Sequence, residues 1–253
     1  MHGVYFIYMS FTETKSFKLA TYAQGDINSS KVALVLPGRL DTKDYVHMAT
    51  LVDYLAKQGY YAVSFDVPGT WESPGDISKY STTLYLKATN ELIEYFGNKP
   101  TLLVGHSRGS TIAMLASGNP VVTGIVVIMA TYGLPTGIHP EISKRGFIVE
   151  QRDLPPGSVR SKEKVAFNLS NYYFTDGQKY EPVEILRRLN KPKLLIYGDE
   201  DEFTQPQRVK EVFASIPKPK MIHEVKSEHD YRLHSDVIDE VNATVGSFIE
   251  DYL

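Results

Sequence analysis

Cysteine is absent from this chain of 253 residues. Disulfides, thiolate metal sites and a cysteine nucleophile are therefore excluded. The net charge is only −3 and no basic block stands out, so the sequence gives no reason to expect nucleic acid as a partner. No run of about 18 apolar residues occurs, so we expect no transmembrane helix. The first residues, "MHGVYFIYMSF", have no Lys or Arg before the apolar run and no small-residue cleavage site, which predicts no signal peptide and a cytoplasmic location.

Phosphate-binding glycine loops are also missing. Neither G-x-G-x-x-G nor G-x-x-x-x-G-K-[ST] is present, which argues against a nucleotide-binding protein. The histidines and acids show no tight ligand spacing, so we expect no metal and no cofactor.

Short apolar strands alternate with amphipathic helices along most of the chain. Segments 31–38 and 60–69 are typical of buried strands, and residues 44–59 between them have helical spacing. This order predicts an α/β fold, a mostly parallel doubly wound sheet with helices on both faces. Segments 4–11 and 16–25 are joined by the polar turn "TETK" and predict an antiparallel N-terminal edge.

About 60 residues interrupt this alternation without a strong buried strand. A structureless loop of that length is improbable in a compact domain. We therefore expect a small, mostly helical insertion that covers one end of the sheet as a cap. The predicted organisation is a first core part at 1–131, a cap at 132–192 and a second core part at 193–253.

One serine stands between two glycines at a predicted strand–helix junction, in "TLLVGHSRGSTIAML" (101–115). A sharp turn there would expose the hydroxyl of Ser107, and small residues at Gly105 and Gly109 would let the strand and helix approach closely. The helix that follows directs its first N–H groups toward the site, so the Arg108 N–H is a candidate oxyanion donor. His106 adjoins the serine, and we expect it to pack at the pocket wall.

"GHSRG" in this context resembles the nucleophile elbow of the α/β-hydrolase superfamily, and the order of elements resembles that family over essentially the whole chain. The resemblance implies a Ser–acid–His triad, with the acid after the next-to-last strand. Four acids compete in "DEDEFTQP" (199–206). The family commonly places its acid three residues after the strand-ending glycine, with a proline further on. Gly198, Asp201 and Pro206 fit this pattern, which favours Asp201.

The family's histidine lies on the loop directly after the last strand. Of the seven histidines, His229 and His234 fall in this region, and His229 is the better match because it follows Lys226 by three residues. The second oxyanion donor implied by the resemblance is the Arg39 N–H, with Leu40 as the alternative. The family's usual His-Gly is Pro37-Gly38 here, so a histidine that would brace the loop is missing.

We count Leu40, His106 and the single tryptophan, Trp71, as candidate substrate contacts, and Arg39 as a contact for an anionic substrate group. The predicted function is a serine hydrolase that cleaves a small-molecule carboxylic ester through an acyl-enzyme on Ser107. Thioesterase, amidase, lactonase or carbon–carbon hydrolase activity, and a non-catalytic receptor of the same fold, stay open because the fold does not fix the function. The sequence also leaves open whether the protein is a homo-oligomer.

Overall fold

The computed structural model describes residues 10–132 and 144–253. In these residues, eight strands form one sheet in the order β1-β2-β4-β3-β5-β6-β9-β10, and β7 and β8 form a separate pair. The strands are β1 Ser10–Glu13, β2 Lys18–Gln24, β3 Val32–Leu36, β4 Tyr61–Phe65, β5 Thr101–His106, β6 Val122–Ile128, β7 Phe147–Asp153, β8 Lys164–Ser170, β9 Lys193–Gly198 and β10 Lys220–Val225.

Helices connect the parallel strands. They are α1 Val46–Lys57, α2 Thr82–Tyr95, α3 Arg108–Ala116, α4 Asn171–Gly177, α5 Pro182–Arg188, α6 Pro206–Ser215 and α7 Ser235–Tyr252. Short 3-10 turns lie at Ile77–Lys79 and Tyr231–Leu233. No helix within the described ranges is both long enough and apolar enough to cross a membrane.

The large sheet is parallel from β4 to β10 and antiparallel at β1 and β2. Every residue of β3, β5 and β9 is buried, which explains why these strands are continuous apolar runs rather than alternating ones. The predicted α/β fold and its antiparallel edge are confirmed. Segment 4–11 was predicted as the first strand; residues 10–13 form β1, and 4–9 lie outside the described residues.

Two apolar layers lie on the two faces of this sheet. Helices α1 and α7 pack on one face, where Leu51 and Phe248 are fully buried. Helices α2, α3 and α6 pack on the other, where Leu92 and Ile112 are fully buried. Because the helices cover both faces, the carboxyl ends of the strands remain the edge at which a ligand can reach the core.

The insertion predicted at 132–192 contains an antiparallel hairpin, β7 with β8, followed by the short helices α4 and α5. This corrects the expectation of a mostly helical insertion. In β8, Phe167 and Leu169 are buried whereas Lys164, Ala166 and Asn168 are exposed. That period-two alternation is typical of a half-buried strand, and it differs from the continuous apolar runs that mark the buried strands of the large sheet. Residues 133–143 of the insertion lie outside the described residues.

Candidate active site

Ser107 occupies a tight turn between β5 and α3. Its backbone has φ 51° and ψ −113°, a left-handed conformation that costs energy for any residue other than glycine. The Ser107 N–H donates to the Ile128 carbonyl at 2.8 Å, which helps to hold this turn. A Cβ on Gly105 would overlap the Gly109 backbone, and one on Gly109 would overlap the Leu36 carbonyl. Both glycines are thus required by close backbone approach, as the sequence suggested.

Three side chains from three loops form one chain of hydrogen bonds. His229 Nε2 lies 2.8 Å from Ser107 Oγ, and His229 Nδ1 lies 3.1 Å from each carboxylate oxygen of Asp201. Because the carboxylate accepts, Nδ1 carries the proton and Nε2 is free to accept from the serine hydroxyl. Asp201 is 2% exposed and His229 is 6% exposed. The arrangement can therefore move a proton from Ser107 to His229 with little competition from water.

The four acids after β9 occupy different positions. Asp201 faces His229, and its Oδ1 also accepts backbone N–H groups of Phe203 at 2.8 Å and Thr204 at 3.2 Å. Glu202 Oε2 accepts the backbone N–H of His229 at 3.1 Å. Asp199 accepts a backbone N–H of the loop after β10, and Glu200 is exposed. Asp201 alone among them contacts the imidazole.

Two further histidines have carboxylate partners of their own. His234 Nε2 lies 2.7 Å from a Glu228 carboxylate oxygen, and His223 lies 2.7 Å from Glu240. His2 and His139 fall outside the described residues. The structure therefore brings His229, and not His234, to Ser107.

His106 supports the histidine loop, a role that the sequence did not signal. It is 2% exposed, and its Nε2 donates to the His229 backbone carbonyl at 3.2 Å. Its Nδ1 lies 3.4 Å from Asp41 Oδ2. Burial raises the pKa of Asp41, but the contact with His106 and the nearby Arg152 guanidinium outweigh burial and hold the pKa below its usual range.

Two groups of described residues offer three metal-ligand atoms each. Asp41, His47 and His106 place their ligand atoms within 4.8 Å of one another, and both ring nitrogens of buried His47 lack a hydrogen-bond partner. Asp44, Asp66 and Glu72 form the second group, but the buried Lys43 ammonium lies 2.6 to 3.4 Å from these carboxylates and supplies their positive charge. The first group thus keeps imidazole nitrogens without a hydrogen-bond partner, whereas the second group already holds an ammonium.

The two candidate oxyanion donors lie at the carboxyl edge of the sheet. Arg108 is the first residue of α3, so its N–H points out of the helix N-terminus beside Ser107. Arg39 follows β3 and lines the same cavity as Ser107. The N–H of Leu40, the alternative donor, donates to the Tyr80 hydroxyl at 3.2 Å. Of the two candidates on this loop, Arg39 is therefore the better placed.

A cavity of about 860 Å³ opens above Ser107. His106 lines it, whereas Leu40 and Trp71 are not among the lining residues. Leu40 is 1% exposed, and the Trp71 indole N–H donates to the Leu40 carbonyl at 2.8 Å. The structure gives their predicted substrate contact no support, because both side chains serve packing beneath the cavity.

Arginines dominate the charged part of the cavity wall. Among the residues that the structure describes, seven basic and five acidic side chains line it, although the whole chain is acidic. Most of the basic groups are paired: Arg39 with Glu150 at 3.0 Å, and Arg232 with Asp153 at 2.7 Å. Pairing with Glu150 also argues against the expected role of Arg39 as an anion contact. Arg152 and Arg160 likewise have carboxylates within 3.7 Å.

Comparisons with known proteins agree with this fold. A family model for the alpha/beta hydrolase fold matches residues 32–144. Mitochondrial palmitoyl-protein thioesterase ABHD10 of Mus musculus is 21% identical over 79% of this chain and 68% of its own length. The uncharacterized hydrolase YugF of Bacillus subtilis is 26% identical over 64% of this chain and 71% of its own length.

A solved structure, Est1E from Butyrivibrio proteoclasticus with bound ferulic acid, superposes with a TM-score of 0.72. It is 17% identical, and the alignment covers 96% of this chain and 98% of Est1E. At this identity the likeness establishes the shared fold. Together with the two sequence relatives, the family match supports a hydrolase.

Proposed function

Because this chain belongs to the α/β-hydrolase superfamily, we propose that it is a serine hydrolase that cleaves carboxylic esters through an acyl-enzyme on Ser107. The observation that carries the proposal is the unbroken set of contacts from Asp201 to His229 to Ser107. A serine hydroxyl is a weak nucleophile by itself, and this arrangement supplies the base and the group that orients it.

In the proposed reaction, Ser107 Oγ attacks the carbonyl carbon while its proton passes to His229 Nε2. Asp201 keeps the proton on Nδ1 and stabilises the imidazolium that forms. The tetrahedral intermediate then collapses, the carbon–oxygen bond to the alcohol breaks, and the alkoxide takes the proton from Nε2. Water then attacks the acyl carbon while His229 Nε2 takes its proton. The bond from the acyl carbon to Ser107 Oγ breaks, and Oγ takes the proton from Nε2, which releases the acid and regenerates Ser107.

The negative charge on the former carbonyl oxygen needs donors that are already in place. We assign this role to the backbone N–H groups of Arg108 and Arg39. The α3 N-terminus adds its positive end to the first of these.

Thioester cleavage is the second candidate reaction. It is favoured by one specific observation, the likeness to the relative that is named a palmitoyl-protein thioesterase. The proposed chemistry at Ser107 is the same for an ester and a thioester, since only the leaving atom differs. Amide, lactone and carbon–carbon hydrolysis, and a receptor without turnover, are weaker candidates.

We further propose that residues 132–192 act as a cap, because Glu150, Arg152 and Tyr173 of this segment line the cavity together with Ser107. The cytoplasmic location and homo-oligomerisation stay predictions.

The proposed function is tested by labelling with a fluorophosphonate, followed by intact-mass measurement, on wild type and Ser107→Ala. One adduct on the wild type and none on the variant would support an activated serine. Matched ester and thioester pairs with the same acyl group then decide between the two leading reactions. A folded wild type that takes up no probe and cleaves none of these substrates would overturn the proposal in favour of a receptor.

A further inference from the structure

Arg108 differs from the other arginines that face the cavity. Its guanidinium donates to the Thr82 hydroxyl and lies over the Tyr173 ring, 4.9 Å from the ring centroid. It forms no ion pair with any carboxylate of residues 10–132 and 144–253. Arg39, Arg152, Arg160 and Arg232 each have one on the same wall.

This guanidinium is held in place but keeps unused donors. A guanidinium has five N–H groups in a rigid plane, and the contact with Thr82 uses one side of that plane. Stacking on Tyr173 limits rotation and removes water from one face. An oriented fork with unused N–H groups is suited to bind a carboxylate through two hydrogen bonds.

Position links this charge to the reacting bond. Arg108 follows Ser107 directly, so their Cα atoms are about 3.8 Å apart. Both residues line the same cavity. A group bound by the guanidinium would therefore share one cavity with the carbonyl that Ser107 attacks.

We propose that the substrate carries one carboxylate close to its scissile bond, and that the Arg108 side chain binds it. The inference rests on the proposed serine hydrolase function and names its substrate class: half-esters or half-thioesters of dicarboxylic acids, or esters of carboxylated alcohols. A carboxylate matches one unpaired cation. A phosphate monoester carries about −1.5 to −2 at neutral pH and would exceed it.

The experiment measures a selectivity, the ratio of kcat/KM for a carboxylate substrate to kcat/KM for its uncharged primary amide. The acyl arm compares the 4-nitrophenyl esters of glutaric acid and glutaramic acid. The leaving-group arm compares 4-carboxyphenyl acetate with 4-carbamoylphenyl acetate. Each pair is nearly isosteric, so charge is the main difference. In at least one arm, we expect the wild type to favour the carboxylate by about tenfold to a hundredfold, the range of a charge-assisted bidentate contact.

The variants are Arg108→Gln and, as the matched control, Arg208→Gln. Arg208 also lines the cavity, but its guanidinium donates to the Tyr132 carbonyl at 3.1 Å and pairs with Glu211 at 3.6 Å. Arg108→Gln should lower the ratio about tenfold or more, whereas Arg208→Gln should change it less than about threefold. Because the ratio is measured within one variant, a general loss of activity in Arg108→Gln does not obscure it.

A wild-type ratio near one in both arms would overturn the inference. An equal fall of the ratio in Arg108→Gln and Arg208→Gln would also overturn it, because the selectivity would then come from the overall positive charge of the cavity and not from Arg108. Fluorophosphonate labelling separates the levels of failure. A labelled wild type without selectivity refutes the carboxylate site alone, whereas a folded wild type that takes up no probe and cleaves none of the substrates refutes the proposed hydrolase.

Discussion

The cavity has two walls that are built by different physical means. The core wall brings Ser107, Asp201 and His229 from the carboxyl ends of β5, β9 and β10, and holds them with buried hydrogen bonds. The insertion wall, from β7 to α4, contributes Glu150 and Arg152, which are joined to the core loops through ion pairs. Close-packed buried strands hold the atoms of the core wall within narrow limits. Partly exposed ion pairs set the charge of the insertion wall but hold its side chains less rigidly. We therefore expect the core wall to perform the proposed chemistry, and the insertion wall to contribute to substrate selection through Tyr173, which lies against the Arg108 guanidinium.

The sharpest test of the core wall is Asp201→Asn. Its amide oxygen can still accept the N–H groups of Phe203 and Thr204, so we expect the free energy of unfolding to change by less than about 1 kcal/mol. The amide no longer stabilises the protonated imidazole, and kcat should fall about ten-thousand-fold. Steady-state kinetics on the best ester found, with urea unfolding in parallel, check both parts.

Glu202→Gln is the matched control. Glu202 is the neighbour of Asp201 in sequence, but it bonds to the backbone N–H of His229 and not to the imidazole. Its kcat should stay within about tenfold of wild type, because the imidazole keeps its carboxylate partner. A larger loss in Glu202→Gln than in Asp201→Asn would reverse the assignment of the acid.

The junction between the two walls is expected to matter for stability more than for chemistry. Asp153 at the end of β7 pairs with Arg232, which follows the His229 loop, and both side chains are about 5% exposed or less. Arg232→Met leaves the buried carboxylate without this partner. We expect a loss of about 3 kcal/mol in the free energy of unfolding at pH 7, measured by urea unfolding.

This loss should depend on pH. Burial raises the pKa of Asp153, but the hydrogen bond from Arg232 and the other donors outweigh burial and hold the pKa below its usual value of 3.8. The ion pair therefore stabilises the fold fully above about pH 4, and its contribution falls as the pH drops through the lowered pKa. The gap between wild type and Arg232→Met should shrink from pH 7 to pH 3. A gap that stays constant would mean that Arg232 acts through packing alone.

The smallest expected effect concerns backbone approach in the core wall. Gly109→Ala would place a Cβ against the Leu36 carbonyl, and we expect a loss of about 2 to 3 kcal/mol. At Gly118, a Cβ would meet nothing within 4 Å, so Gly118→Ala is the control and should change stability by less than about 0.5 kcal/mol. Thermal unfolding of both variants tests this; equal stability would show that the turn can relax.

Local patterns in the sequence predict the structure where each pattern has a single physical meaning. A serine between glycines after an apolar strand predicted the tight turn, and the alternation of strands and helices predicted the sheet. Asp201 and His229 were assigned from a family resemblance, since nothing local separates Asp201 from the three acids beside it. Their catalytic roles stay proposals until the variants are measured.

Long-range pairing was beyond the sequence. The sequence predicts that Arg39 meets an anionic group, but Glu150 on the distant hairpin neutralises it, whereas Arg108 has no carboxylate partner in the part of the chain that the structure describes. The support of His229 by His106 depends on two loops that meet only in three dimensions. Charge partners of this kind follow from packing, which no periodicity in the sequence specifies.

Ser107 and His229 are separated by 122 positions. On a ribosome that adds about 5 to 20 residues per second, the proposed nucleophile therefore exists for roughly 6 to 24 seconds before its base has been made. During that time the serine has no partner to activate it, and the nascent chain cannot cleave or be acylated by the esters around it. The order of the three loops along the chain thus delays reactivity until the last strand of the sheet, β10, has been synthesised.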